Sequence, residues 1–131
     1  MSAAEFPPKL QQDAEYLREE GYDVELEREG NNVYALFHEF QLPEGKYNKE
    51  TVTILQPVPI PYPEGEMEMF WTDVDIRTAS GQVPEKATVT NTYLGEEWRR
   101  FSWHRQKEWD PATDDLIDQA SFIEQRFVEH D

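Results

Sequence analysis

The chain has 131 residues, 28 of them acidic and 12 basic, for a net charge of −16, and it contains no cysteine. The length fits one domain that buries roughly two-thirds of its unfolded surface, so neither metal nor disulfide is needed for folding. Absence of cysteine excludes disulfides, thiolate zinc sites and iron–sulfur clusters, and the acidity opposes nucleic-acid binding, which needs Lys and Arg against phosphate.

Apolar residues make up 37% and aromatics 13% of the chain, spread along its length, which argues against a long disordered tail. Met1-Ser2-Ala3-Ala4-Glu5 shows no basic or apolar leader, and no apolar run nears the roughly 18 residues of a membrane span. The expectation is a cytoplasmic protein without membrane contact. The negative charge has two readings: a solvating surface, as in proteins of high-salt cytoplasm, or an acidic face that steers a basic partner.

Leu10, Ala14 and Leu17 fall on one helical stripe, and the spacing predicts a helix over 8–20, opened by Pro7-Pro8 and closed by Gly21. Val24 and Leu26 alternate with charge and predict a strand over 23–28. Gly30-Asn31-Asn32 marks a turn, and the aromatic, β-branched run 33–40 predicts the paired strand. A third strand is predicted over 51–55, with Val52 and Ile54 on one face. Pro57, Pro59, Pro61 and Pro63 then alternate, which predicts an extended polyproline-like segment over the sheet, turned at Glu64-Gly65.

A short apolar strand or buried extended piece is expected over 67–71, with Met67 and Met69 as core filler. A loop follows over 78–84 and a further strand over 87–93. Leu116, Ala120, Ile123 and Phe127 predict a helix over 113–129, capped by Thr113 and favoured at its start by Asp114 and Asp115. The order gives an α+β domain: a helix, an antiparallel β-meander of three or four strands, an aromatic-rich irregular segment, and a closing helix packed on the sheet.

Tyr62-Pro63 after the meander and Trp109-Asp110-Pro111 before the last helix resemble two landmarks of ubiquitin-conjugating enzymes. Gly21-Tyr22, the Leu42-Pro43-Glu44-Gly45 turn leading to Tyr47-Asn48, Met69-Phe70-Trp71 and Phe101-Ser102-Trp103-His104 make the chain similar, over about residues 10–128, to the prokaryotic UBC-like family E. The resemblance implies a UBC-like domain over the whole chain. It implies a gene cluster with a ubiquitin-like modifier, its activating enzyme and a JAB-type peptidase, in a bacterial or archaeal modification system directed at phage. Modifier and activating enzyme are the implied partners, with no cofactor.

The chain departs from the conjugating enzymes where chemistry resides. Their thioester needs a thiolate nucleophile shortly before the Trp-x-Pro, and the window 99–107 holds Ser102 and His104 but no cysteine. The stretch 73–78, which matches their His-Pro-Asn signature, has neither His nor Asn. Loss of conjugating activity is therefore expected.

His104 is a candidate general base or modifier contact, or a ring packed beside Trp103 and Trp109. Ser102 is a candidate nucleophile two residues before it, without a third member for a triad. The histidines His38, His104 and His130 are too scattered for a metal site. Arg99, Arg100 and Arg105, with Trp98 and Trp103 among them, form the basic cluster of the chain. It reads either as charge balance against Glu96 and Glu97 or as a partner-binding site for a carboxylate. Trp71 and Trp109 read as core. Three functions follow: a UBC-like binding protein without thioester chemistry, an enzyme centred on His104 and Ser102, or an acidic interaction protein that mimics nucleic acid.

Overall fold

A computed structural model describes residues 6–67, 69–103 and 108–130. Helix α1 spans Pro8–Glu19, with Pro7 at its N-cap and Gly21 at φ 103° just beyond its end. Its stripe Leu10, Ala14 and Leu17 is buried, as the spacing predicts, together with Asp13.

The antiparallel hairpin of β1 (Asp23–Glu29) and β2 (Asn32–Gln41) closes on Gly30-Asn31, with Glu29 opposite Asn32. A register shift between Phe37 and Phe40 puts both rings on the same side, with Glu39 at φ 51° between them.

Strand β3 runs over Thr51–Val58, beyond the expected end, and takes in Pro57 opposite Tyr34. Strand β4 (Phe70–Asp73) meets β3 only at Ile54 and Leu55, so β3 is unpaired on that flank at Pro57 and the proline is tolerated there. The polyproline expectation is thereby corrected. Pro57 belongs to the sheet, and residues 60–65 bend instead of lying extended, with cis bonds before Pro61 and Pro63 and the Glu64 amide donating to Pro61 O at 3.1 Å. A side chain at Gly65 would collide with Pro59. Met67 is core, whereas Met69 is exposed.

The expected strand over 87–93 is β5 (Val89–Tyr93), joined through Leu94-Gly95, both at positive φ, to β6 (Glu96–Phe101). The sheet has six antiparallel strands in the order β1-β2-β3-β4-β6-β5. It is larger than the meander expected from the sequence because β6 inserts between β4 and β5.

Helix α2 spans Leu116–Glu129 and starts later than expected. Its cap is Asp115, not Thr113: the Asp115 carboxylate accepts from the amides of Ile117 and Asp118, and the Asp118 carboxylate accepts from the Asp115 amide. Thr113 is held instead in a turn on Asp110 O. A carboxylate at this end also meets the positive pole of the helix.

Both helices cover one face of the sheet. Val33, Ala35, Phe37 and Phe40 from β2, Ile54 from β3, Phe70 from β4 and Phe101 from β6 meet the apolar stripes of α1 and α2 there. Rings of Phe70 and Phe101 stack at 5.0 Å, and Phe127 closes on both. Two polar contacts set the position of α2. Gln119 Nε2 donates to Gln56 Oε1 at 3.0 Å, and Gln56 Nε2 donates to the carbonyls of Pro57 and Met69. Tyr62 OH donates to Asp13 Oδ2 at 2.5 Å and accepts from the Leu116 amide at 2.7 Å. Lys9 joins Asp13 at 2.7 Å and Asp115 at 3.3 Å.

Burial first, and then the bond to Asp13, hold the Tyr62 hydroxyl well above its ordinary value of 10.0. A phenol with a raised folded pKa stabilises the fold below its ordinary value, and the contribution is lost as pH climbs beyond it. Tyr62→Phe is therefore expected to cost about 1–3 kcal/mol at pH 7, because the Leu116 amide loses its acceptor and the buried Asp13 carboxylate is left to Lys9. It should also weaken the loss of stability above about pH 10, which urea melts across pH 7–11 would read.

Candidate functional site

Strand alternation sorts the basic cluster before any partner is considered. On β6, Trp98 and Arg100 point to the helix-free face, opposite Asp73 and Trp71, while Arg99 and Phe101 point towards the helices, opposite Thr72 and Phe70. Arg99 is 8% exposed. Its Nε donates to Val74 O at 3.0 Å and its second nitrogen to Ala87 O at 2.7 Å, so it ties the two ends of the β4–β5 connection to the sheet. Burial, and then Arg77, lower its guanidinium pKa. Trp98 is buried with Tyr34, Leu36, Leu55 and Trp71, and its Nε1 donates to Tyr93 O at 2.9 Å. Trp71 lies in this second cluster, in keeping with a core reading.

Arg100 is half-buried and donates from Nε to Ser102 Oγ at 2.9 Å. A guanidinium has no lone pair with which to take a proton, so this contact orients Ser102 without activating it. Trp103 is half-buried and packs against the main core. Lys86 Nζ stands 5.3 Å and Arg126 Cζ 4.8 Å from its ring, with the His130 ring at 4.2 Å. Two cations on one indole make a cation–π arrangement and place positive charge beside an aromatic surface. His104 and Arg105 lie outside the described residues. The region thus combines Arg100, Ser102, Trp103 and Lys86, while Trp98 and Arg99 of the same cluster turn inward.

The sequence landmarks converge in space. Trp109 Nε1 donates to Pro63 O at 2.6 Å, so the Trp-x-Pro rests on the Tyr-Pro step. Tyr62 is buried as expected, whereas Trp109 is half-buried and Pro111 exposed. The stretch 73–78, which lacks an Asn of its own, is clamped by one from elsewhere. Asn48 Nδ2 donates to Asp75 O at 2.9 Å and Asn48 Oδ1 accepts from the Arg77 amide at 2.8 Å. Among the described residues no group of three or more His, Asp or Glu is placed to hold a metal ion, and no helix is long and apolar enough to cross a membrane.

A helix, an antiparallel sheet, a Tyr-Pro bend tied to a Trp-x-Pro and a closing helix define the class of ubiquitin-conjugating-like α+β domains. The family model described as prokaryotic E2 family E matches residues 9–130, and the chain belongs to that family. Comparisons with curated proteins and with solved structures gave no match. Membership removes the ground for reading the motifs as accidents in an acidic mimic of nucleic acid. The family connects the chain with prokaryotic ubiquitin-like conjugation, and no residue of the domain is a cysteine.

Sequence reasoning missed Asp13, Gln56, Gln119 and Arg126 as structural polar residues. Each is buried, and each is polar where the element's pattern calls for an apolar side chain. That break in pattern was the available signal. Arg126 donates to Tyr47 OH at 3.2 Å and to Glu85 O at 2.8 Å.

Arg99→Ala is expected to cost about 2–4 kcal/mol, because two carbonyls lose their donor. Arg100→Glu should cost less, about 0.5–1.5 kcal/mol, because a half-buried side chain gives up one neutral partner and no backbone carbonyl. Urea denaturation of both variants checks this split of adjacent arginines.

Proposed function

We propose that the protein is a binding module of a prokaryotic ubiquitin-like conjugation system, which holds a ubiquitin-like modifier or its activating enzyme and does not carry the modifier as a thioester. The observation that carries this reading is a family E domain with no cysteine anywhere in it. A thioester requires a thiol, and the Ser102 hydroxyl accepts a hydrogen bond from Arg100, whose guanidinium cannot take its proton.

The contact surface in this reading is Arg100, Ser102, Trp103 and Lys86, with His104 and Arg105 next in sequence. It concentrates positive charge and an indole in a very acidic chain, and it occupies the place of the family's active-site loop. Such a surface suits the carboxylate-bearing tail of a modifier or an acidic partner face. Trp98 and Arg99 enter this reading as scaffold.

Two measurements test it. First, the protein is incubated with the activating enzyme, ATP and the modifier of its own gene cluster. No adduct sensitive to reducing agent is expected on a non-reducing gel. A hydroxide-sensitive adduct lost in Ser102→Ala would instead establish oxyester chemistry. Second, Arg100→Glu and Trp103→Ala, each checked for an unchanged melting temperature, are expected to weaken binding of modifier or activating enzyme about thirtyfold, near 2 kcal/mol. Parent-like affinity in both folded variants would place the contact elsewhere.

A further inference from the structure

The helix-free face of the sheet carries a groove that the reading above does not use. It has a volume of about 680 Å³ and an apolar floor of Leu36, Leu94 and Trp98. Four carboxylates rim it: Glu27 and Glu29 from β1, Asp73 from β4 and Glu96 from β6. No Lys or Arg is among the described lining residues, and the lining histidine, His38, is bonded to Glu25 at 2.8 Å. Lys49 reaches Asp73 at 3.5 Å but lies closer, at 2.9 Å, to Asp75. Curling of the sheet brings the β5–β6 turn over this face, where the Leu94 amide donates to Glu29 Oε1 at 3.4 Å and bounds one end of the groove.

We propose that this groove docks an extended cationic segment of a partner polypeptide, with Lys or Arg at alternate residues. Charge complementarity is the first argument: four carboxylates from three strands face one cleft with no Lys or Arg among its described lining residues, and of the four Asp73 is the one that Lys49 reaches from outside. Shape is the second. Long basic side chains lay apolar stems on a hydrophobic floor while their heads reach a charged rim, and Leu36, Leu94 and Trp98 offer such a floor. Spacing is the third. Glu27 and Glu29 are two residues apart on one strand, about 7 Å, the repeat at which an extended chain presents alternate side chains. The carboxylates do not gather into a metal-binding group among the described residues, which fits a charge distributed along a chain and not a single ion.

The test uses a synthetic nonapeptide with arginine at alternate positions separated by threonine. Controls are an isomer of the same composition with its arginines in one block, and spermine. Tryptophan fluorescence reports on the floor, and calorimetry gives the stoichiometry. Saturable one-to-one binding is expected, at least tenfold tighter for the alternating peptide than for either control. Glu27→Lys with Glu96→Lys should weaken it at least tenfold. Glu19→Lys with Glu44→Lys, which makes the same change in net charge at exposed positions outside the groove, should leave it within twofold. Glu27→Gln with Glu96→Gln replaces the first pair if its melting temperature falls. The proposal is overturned if no binding saturates, if the controls bind as well, or if the outside pair weakens binding as much as the groove pair. Trp103→Ala should leave peptide affinity unchanged, so failure here is separable from failure of the modifier reading.

Discussion

One hydroxyl joins three parts of the chain that lie far apart in sequence. Tyr62 OH donates a hydrogen bond to Asp13 on α1 and accepts one from the Leu116 amide in the first turn of α2. The bend after β3 carries this tyrosine, so both helices are referenced to the same point on the sheet. Lys9 bridges Asp13 and Asp115, and Trp109 rests on Pro63 next door. An unpaired buried carboxylate or amide is costly, so the constraint is strict: without the phenol, α2 would leave an amide unmet beside a buried acid. The Tyr-Pro and Trp-x-Pro steps are therefore one structural unit, in which the first places the start of α2 and the second leads the chain to it.

With both helices committed to one face, the sheet is left two-sided. Its helix face is filled by Phe70, Phe101 and Phe127, and its other face is shielded in part by Tyr93 and Leu94 over Tyr34, Trp71 and Trp98. Beyond that patch the face is rimmed with acid. On β1, Glu25 and Glu27 share a hydrogen bond. It holds the Glu25 carboxyl below its ordinary range, with help from His38, and pushes the Glu27 carboxyl up. Carboxylates this close repel unless a proton or an outside cation stands between them, so part of the acidity is organised by the strand spacing.

The positive charge divides by the same alternation. On β6 Arg99 serves backbone carbonyls and Arg100 orients Ser102; apart from that pair, Arg126 of α2 lies fully buried over the Phe101 and Trp103 rings. Residues that look like one basic cluster in the sequence do different work because neighbours on a strand face opposite ways. The domain keeps the scaffold of its family, and its Ser102 hydroxyl is held by Arg100, which has no lone pair with which to take a proton.

Much of this was legible in the chain itself. The α1 stripe, the Gly30-Asn31 hairpin, the α2 periodicity and the family landmarks depend on local spacing, and local spacing dictates which face of an element is apolar. The absence of a thiol is likewise a property of composition alone. Strand β6 was not legible: Trp98 faces one layer and Phe101 the other, so both sides are covered and the apolar alternation that marks a half-exposed strand is missing. Nor could spacing assign Asp115 over Thr113 as the cap, because that choice depends on which carboxylate reaches two free amides. The burial of Asp13, Gln56, Gln119 and Arg99 was decided only in three dimensions. A polar side chain can be buried when partners distant in sequence arrive to satisfy it, and no local pattern records their arrival.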